Sequence, residues 1–345
     1  MKAVQVLRHG RPAEVIAVNE VAVPNPGPGE VRVAVSTASV NFGDIARSRG
    51  GVAMAMFAPP YTLGMDVCGT VEAAGEGGEA WLGKRVVGMS KWAFGGMAEQ
   101  TIVPLASLFQ APPELDDAEA AAFLLPFRVS YLGLHVRARL QPGETVLVTA
   151  AASSVGTAAL QLAAAAGAKV IAVAGGAEKG EYCRTLGAMA ALDAKEANLF
   201  DRIMELTDGH GVDVAFDLVG GALTETIWTC MALEGRYLPI GFNDDSQGGL
   251  TGRPLRKVST GNFSVLGVLL AYGVPFLPMR RMGLNFFSPE TGQQVHEALC
   301  ALVAKGRIRP QVGRRIRMAE VAAALEDHEA RRTTGRTIVD IAGSL

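Results

Sequence analysis

The stretch Glu144-Thr-Val-Leu-Val-Thr-Ala-Ala-Ala-Ser-Ser-Val-Gly156, with the alanine-rich run behind it, limits the fold more than any other part of the chain. Thr145–Thr149 reads as a short buried strand, Ala150–Ser154 are all small, and Val155–Ala166 reads as a helix with little side-chain bulk. A strand that turns through small residues into a helix lets the main chain approach a diphosphate. The helix N-terminus then offers N–H groups and the positive end of its dipole. The dinucleotide fingerprint G-x-G-x-x-G is incomplete, because only Gly156 of its three glycines is present. Alone, the stretch fits both a nucleotide-binding turn and an ordinary βα unit packed through alanines.

The surrounding pattern decides the class. Strands Lys169–Val173, Ala190–Leu192, Asp213–Asp217, Gly235–Ile240 and Phe263–Gly267 are predicted, with helices over 177–186, 198–207 and 223–232 between them. Such alternation predicts a parallel sheet with helices on both faces. The first third differs. Ala3–Leu7, Val31–Ser39, Asp66–Ala73, Arg85–Met89 and Glu99–Pro104 read as strands between Gly and Pro turns, which suggests a small barrel or sandwich. The change falls near Leu115, where Asp116–Leu125 opens a helix with acids in its first turn. The tail carries helices at Gln293–Lys305 and Met318–His328 and a last strand, Arg336–Ile341, too distant to extend the βα series simply. With 345 residues, two domains are expected.

Charge and cysteine usage narrow the function. Net charge is −2 without a basic run, which argues against nucleic acid or an anionic membrane as partner. The first ten residues alternate like a strand rather than a signal peptide, and no uninterrupted apolar run reaches about 18 residues. Cys68, Cys183, Cys230 and Cys300 are scattered, so no disulfide framework is implied and a cytoplasmic location is expected. The five histidines form no ligand pattern.

The second strand of the βαβ series bears on the cofactor. An acid at its tip binds the ribose 2′-hydroxyl of NAD in many dinucleotide sites. Here the strand runs into Ala174-Gly-Gly-Ala-Glu-Lys179, with no acid at the tip, room at Gly175 and Gly176, and a cation in the next helical turn. Room plus a cation favours a 2′-phosphate and hence NADPH, although a solvated helix lysine has the same signature.

Several ordered segments together resemble the zinc-independent NADPH:quinone oxidoreductase (zeta-crystallin-like) branch of the medium-chain dehydrogenase/reductase superfamily. They are Asn41-Phe-Gly-Asp44; Pro60-Tyr-Thr-Leu-Gly-Met-Asp-Val-Cys-Gly-Thr-Val71; Gly83-Lys-Arg-Val-Val-Gly88; Gly95-Gly-Met-Ala-Glu99; Leu140–Gly156; Phe216-Asp-Leu-Val-Gly220; Asn262-Phe-Ser-Val-Leu-Gly267; and Gly306-Arg-Ile-Arg-Pro310. The resemblance implies an α/β protein. A GroES-like, strand-rich catalytic domain would span residues 1–124 and 273–345, and a Rossmann domain with a doubly wound parallel sheet would span 125–272. It implies an active site in the cleft between the domains and a homodimer formed through Rossmann sheet edges.

Carried over by position, Asn41 and Asp44 are the catalytic candidates. Asn41, Val129, Ser153, Ser154, Val155, Gly156, Gly175, Lys179, Val219, Ile240, Gly241, Phe242, Asn262 and Arg331 are the cofactor-binding candidates. Without the resemblance, Asn41 and Asp44 read as a turn and cap pair, and Ser153 and Ser154 as helix-capping residues. No metal site is expected: Asn41 and Met65 stand where zinc-dependent relatives carry Cys and His, and an amide and a thioether are poor zinc ligands.

The expected reaction is hydride transfer from NADPH to a quinone or an α,β-unsaturated carbonyl. Ala46, Val129 and Ala194 depart from family residues (tyrosine, threonine and tyrosine), and the first two put a quinone in question as the natural substrate. One alternative is an enoyl-thioester reductase of polyketide or lipid chemistry, with Arg253, Arg256, Lys257, Arg280 and Arg281 as a basic groove. Another is a non-catalytic, NADPH-binding, crystallin-like protein.

Overall fold

Valine alternating with small or polar residues builds the longest strand, Glu30–Ser39, which turns Val31, Val33 and Val35 into the interior. The structure is a computed structural model that describes residues 1–50, 58–241, 256–273 and 277–343. In chain order the strands are β1 (Lys2–Val6), β2 (Ile16–Glu20), β3 (Glu30–Ser39), β4 (Tyr61–Thr62), β5 (Asp66–Ala74), β6 (Arg85–Met89), β7 (Gln100–Pro104), β8 (Leu108–Gln110), β9 (Thr145–Thr149), β10 (Lys169–Ala174), β11 (Ala190–Asp193), β12 (Val212–Asp217), β13 (Met231–Pro239), β14 (Ser264–Val265), β15 (Val312–Arg317) and β16 (Arg336–Asp340). The helices are α1 (Pro12–Val15), α2 (Phe42–Arg49), α3 (Asp117–Tyr131), α4 (Ser154–Ala165), α5 (Ala177–Thr185), α6 (Leu199–Leu206), α7 (Ala222–Thr229), α8 (Arg256–Gly261), α9 (Leu277–Arg281), α10 (Pro289–Ala304) and α11 (Val321–Glu329). The chain divides into two units: Met1–Leu124 with Ala271–Val303 and Arg309–Leu345, and Leu125–Leu270 with Ala304–Ile308.

In the first unit, a sheet ordered β15-β16-β3-β5-β6-β8, with β7 also on β3, accompanies the smaller sheet β2-β1-β4. Its core joins Val4, Val33, Leu63, Val67, Met97 and Val103 to Val321, Leu325 and Val339 from the C-terminal segment. The last strand, β16, lies antiparallel to β3, with Ile338 opposite Ser39 and Val339 opposite Ala38.

In the second unit the order β11-β10-β9-β12-β13-β14 is parallel throughout. The α/β class is therefore as expected, and the connectivity reverses between β9 and β12, the switch point of a doubly wound sheet. Leu147, Ile171, Val173, Ala215, Ile227 and Trp228 are buried in its core.

Local boundaries differ from expectation at several places. The helix predicted to reach Ala232 ends at Thr229, because Met231 is already paired with Val212 across a bulged register. The predicted strand Phe263–Gly267 shrinks to Ser264–Val265, which pairs only with Arg236 and Tyr237. The helix opening near Asp116 runs on to Tyr131 through Pro126 and continues as a π-type turn to Arg137. Among the described residues no helix is long and apolar enough to cross a membrane.

Candidate functional site

Parallel strands direct their carboxyl ends, and the loops that follow, to one edge of the sheet, where ligands of such sheets bind at the switch point. After β9 the chain passes through Ala150 at φ 45° and Ala151 and Ala152, both buried, into α4. Ser153 is the N-cap, and its Oγ accepts the Gly156 N–H at 3.1 Å. A Cβ on Gly156 would lie 2.3 Å from the Ala150 carbonyl oxygen and 2.7 Å from Ala151 Cα. The single fingerprint glycine thus allows helix and strand to meet closely. The small residues of α4 have the same cause, since Gly156 through Ala163 are all buried.

At the end of β10, a Cβ on Gly175 or Gly176 would meet nothing within 4 Å, so the space beside this turn is open. Gly176 has φ 81° and caps α5, whose first turn carries Lys179. Sequence reasoning missed Asp193 here. It ends β11, and its Oδ2 accepts the Gly176 N–H at 2.8 Å while its Oδ1 accepts the Lys195 N–H at 2.9 Å. Those two N–H groups hold the Asp193 carboxyl below the usual carboxylate range.

Beyond the switch point, Val219 and Gly220 follow β12, and Ile240 and Gly241 follow β13. Their loops touch: a Cβ on Gly241 would lie 2.3 Å from the Leu218 carbonyl oxygen. Val129 is buried in α3. Phe242 lies outside the described residues, as does Arg253. Asn262 does not join this group. It precedes β14, so it sits at the amino ends of the parallel strands, where its carbonyl oxygen accepts the Glu234 N–H at 2.9 Å. Of the cations considered for a thioester groove, Lys257 is held by Glu225 at 2.9 Å.

The catalytic candidates lie in the first unit, where three segments meet. The β3–β16 register sets Arg336 beside Asn41, and β5 begins on the other side of β3 with Asp66. Asn41 Nδ2 donates to Asp66 Oδ1 at 2.8 Å and to the Ser39 carbonyl at 3.3 Å. Arg336 Nη2 donates to Asn41 Oδ1 at 2.9 Å and to Asp66 Oδ1 and Oδ2 at 2.9 and 2.7 Å. Asp44 Oδ2 accepts the Asn41 N–H at 2.9 Å, and Asp44 Oδ1 faces Arg47 Nη1 at 3.2 Å. Burial pushes the Asp44 carboxyl above its ordinary range, against the lowering effect of Arg47. The cap pair expected from residue types is therefore present, and Asp66 and Arg336 are additions that sequence reasoning did not assign.

Cys68 is buried with its Sγ 3.6 Å from Asp117 Oδ1, and burial pushes its thiol up to about 12. Arg331 is also in this unit, just past α11, at φ 58° with its N–H on the His328 carbonyl at 3.0 Å. Among the described residues, no three His, Cys, Asp or Glu side chains gather to hold a metal ion.

A GroES-like sheet unit and a doubly wound parallel sheet on one chain define the class of medium-chain dehydrogenases and reductases. Residues 27–113 match the alcohol dehydrogenase GroES-like domain, and residues 154–278 match the zinc-binding dehydrogenase family. A quinone oxidoreductase from Pseudomonas aeruginosa is 32% identical over 98% of this chain and 99% of its own length. A quinone oxidoreductase-like protein 2 homolog from Nematostella vectensis is 37% identical over 70% of this chain, which spans 65% of that relative. The Escherichia coli quinone oxidoreductase solved with NADPH aligns at a TM-score of 0.83 and 26% identity, over 99% of this chain and all (100%) of that one. The chain belongs to the quinone oxidoreductase branch of the medium-chain dehydrogenase/reductase superfamily.

Proposed function

We propose that the protein is an NADPH-dependent, zinc-independent reductase of quinones or α,β-unsaturated carbonyls. The observation that carries this reading is the Asn41–Asp66–Arg336 cluster. A catalytic zinc needs anionic or imidazole ligands with free lone pairs. Here both Asp66 oxygens accept from a guanidinium already within 2.9 Å, and Asn41 offers only an amide. The buried positive charge of Arg336 also opposes a second cation at that spot. These residues do not fit zinc, which supports an acceptor whose reduction needs no metal Lewis acid.

The nucleotide end supports NADPH through residues already described. The open space at Gly175 and Gly176 and the cation in the first turn of α5 fit a 2′-phosphate. Ser153, Ser154, Val155 and Gly156 form the N-cap and first turn of α4, on which a diphosphate would rest. Bound there, NADPH supplies a hydride from its nicotinamide ring. Asn41 has its amide protons engaged, so contact with substrate or ribose requires it to release the longer bond, to Ser39. A homodimer is part of the reading, with β14 at the sheet edge pairing to its copy.

The test is NADPH oxidation against a panel of quinones and enones, with NADH in parallel and metal content measured on the same sample. Binding without turnover of any acceptor would favour a non-catalytic protein, and stoichiometric zinc would overturn the metal-free reading. Light scattering decides the dimer.

A further inference from the structure

We infer that Asp217, acting through Thr149 and Tyr237, is the positioning residue for the nicotinamide end of the dinucleotide site; the inference rests on the cofactor reading above. Asp217 is the last residue of β12 and Thr149 the last of β9, so they face each other across the switch point. Tyr237 comes from β13, on the far side of β12. Asp217 and Thr149 are 0% exposed and Tyr237 1%.

Asp217 Oδ1 accepts from Thr149 Oγ1 at 2.7 Å, from the Val219 N–H at 2.9 Å and from the Gly220 N–H at 3.2 Å. Asp217 Oδ2 accepts from the Tyr237 hydroxyl at 2.6 Å, with Thr224 Oγ1 at 3.5 Å. Thr149 Oγ1 in turn accepts the Leu218 N–H at 2.8 Å. The main-chain oxygen of Asp217 accepts the N–H groups of Ile240 and Gly241 at 2.8 and 3.1 Å.

Val219 and Gly220, which follow β12, and Ile240 and Gly241, which follow β13, therefore all donate their N–H to this one aspartate. Each partner is neutral. At the side chain, a carboxylate accepts at both oxygens and so takes Thr149, Val219 and Gly220 on one and Tyr237 on the other; an asparagine would turn an NH2 group toward one of these sets of donors. The side chain thus ties the end of β9 and the loop after β12 to Tyr237 of β13, while the main-chain oxygen of the same residue holds the loop after β13; a nicotinamide ring would lie on those two loops. Ring position matters because small misplacement of reacting atoms costs rate heavily.

The experiment compares Thr149→Val, Thr149→Ser and Tyr237→Phe with the wild type. Dissociation constants are measured calorimetrically for NADPH and for 2′-phospho-ADP-ribose, which lacks the nicotinamide. Thr149→Val should weaken NADPH by about tenfold and lower kcat by at least as much. It should leave the fragment within about twofold, and Thr149→Ser, which keeps the hydroxyl, should restore both values. Tyr237→Phe should act in the same direction. Equal weakening of NADPH and fragment, or no change in either, would overturn the positioning role. A wild-type protein that binds neither would instead overturn the cofactor reading.

Discussion

Replacing Arg336 with methionine isolates the charge at the centre of the first-unit cluster. The Asp66 side chain is 0% exposed and that of Arg336 4%. The substitution keeps similar bulk but removes three hydrogen bonds made by one nitrogen. Among the described residues, Asp66 then keeps only the Asn41 amide at 2.8 Å as a side-chain donor. A buried ion pair broken on one side leaves an uncompensated charge, at a cost of about 3–5 kcal/mol. Against a total stability of roughly 5–15 kcal/mol, that is a large fraction.

Removing both charges has a different sign. Replacing a buried pair by apolar residues of similar volume is often neutral or stabilising, so Arg336→Met with Asp66→Leu should recover part of the loss, the remainder coming from the buried Asn41 amide, which loses its bonds to both residues at a cost of about 1–3 kcal/mol. The assay is urea unfolding in a Trp228→Phe background. Trp81 and Trp92, both in the first unit, then report its transition. A single substitution costing less than about 1 kcal/mol, or a double variant less stable than the single, would refute the assignment of the loss to the unpaired carboxylate.

Lys179→Ala should weaken NADPH by about tenfold to a hundredfold, the worth of a charge-assisted hydrogen bond, and leave NADH nearly unchanged; equal effects would refute the 2′-phosphate role. Gly156→Ala sets a Cβ 2.3 Å from the Ala150 oxygen and should destabilise the second unit by about 1–3 kcal/mol, read by calorimetric melting. His328, with its Nε2 2.9 Å from Thr337 Oγ1, has a pKa lowered to about 4, first by burial and then by Arg336 and Arg314, with Asp327 opposing. The folded form resists protonation while the unfolded chain accepts a proton near 6.5, so its share of stability is full above pH 6.5 and falls toward pH 4. His328→Gln should flatten that acid limb, which otherwise slopes by roughly 1 kcal/mol per pH unit; an unchanged urea midpoint profile from pH 7 to 4 would count against it.

Much of the second unit was legible because its signals are local. Short apolar runs, small-residue turns and Gly-Gly before a helix are read within a dozen residues, and the resulting α/β alternation admits few sheets. Boundaries were less legible where pairing overrode propensity, as at Met231. The candidate site was legible at its turns, around Ser153, Gly156, Gly175 and Gly176, but not where its parts come from different strands. Asn262 was placed by a family position, yet chain direction puts it at the amino ends of the sheet.

By itself the sequence determined that a parallel α/β sheet follows a strand-rich part, and that the turn after Thr149 must be built from small residues. Only the tertiary structure decided which polar groups meet. Gly176 finds Asp193 across 17 residues, Thr149 finds Asp217 across 68, and Arg336 finds Asp66 across 270. Hydrophobic periodicity specifies which face of an element is buried. A carboxylate instead needs particular donors within about 3 Å, and the pairing of strands with the loops that follow them brings such distant groups together.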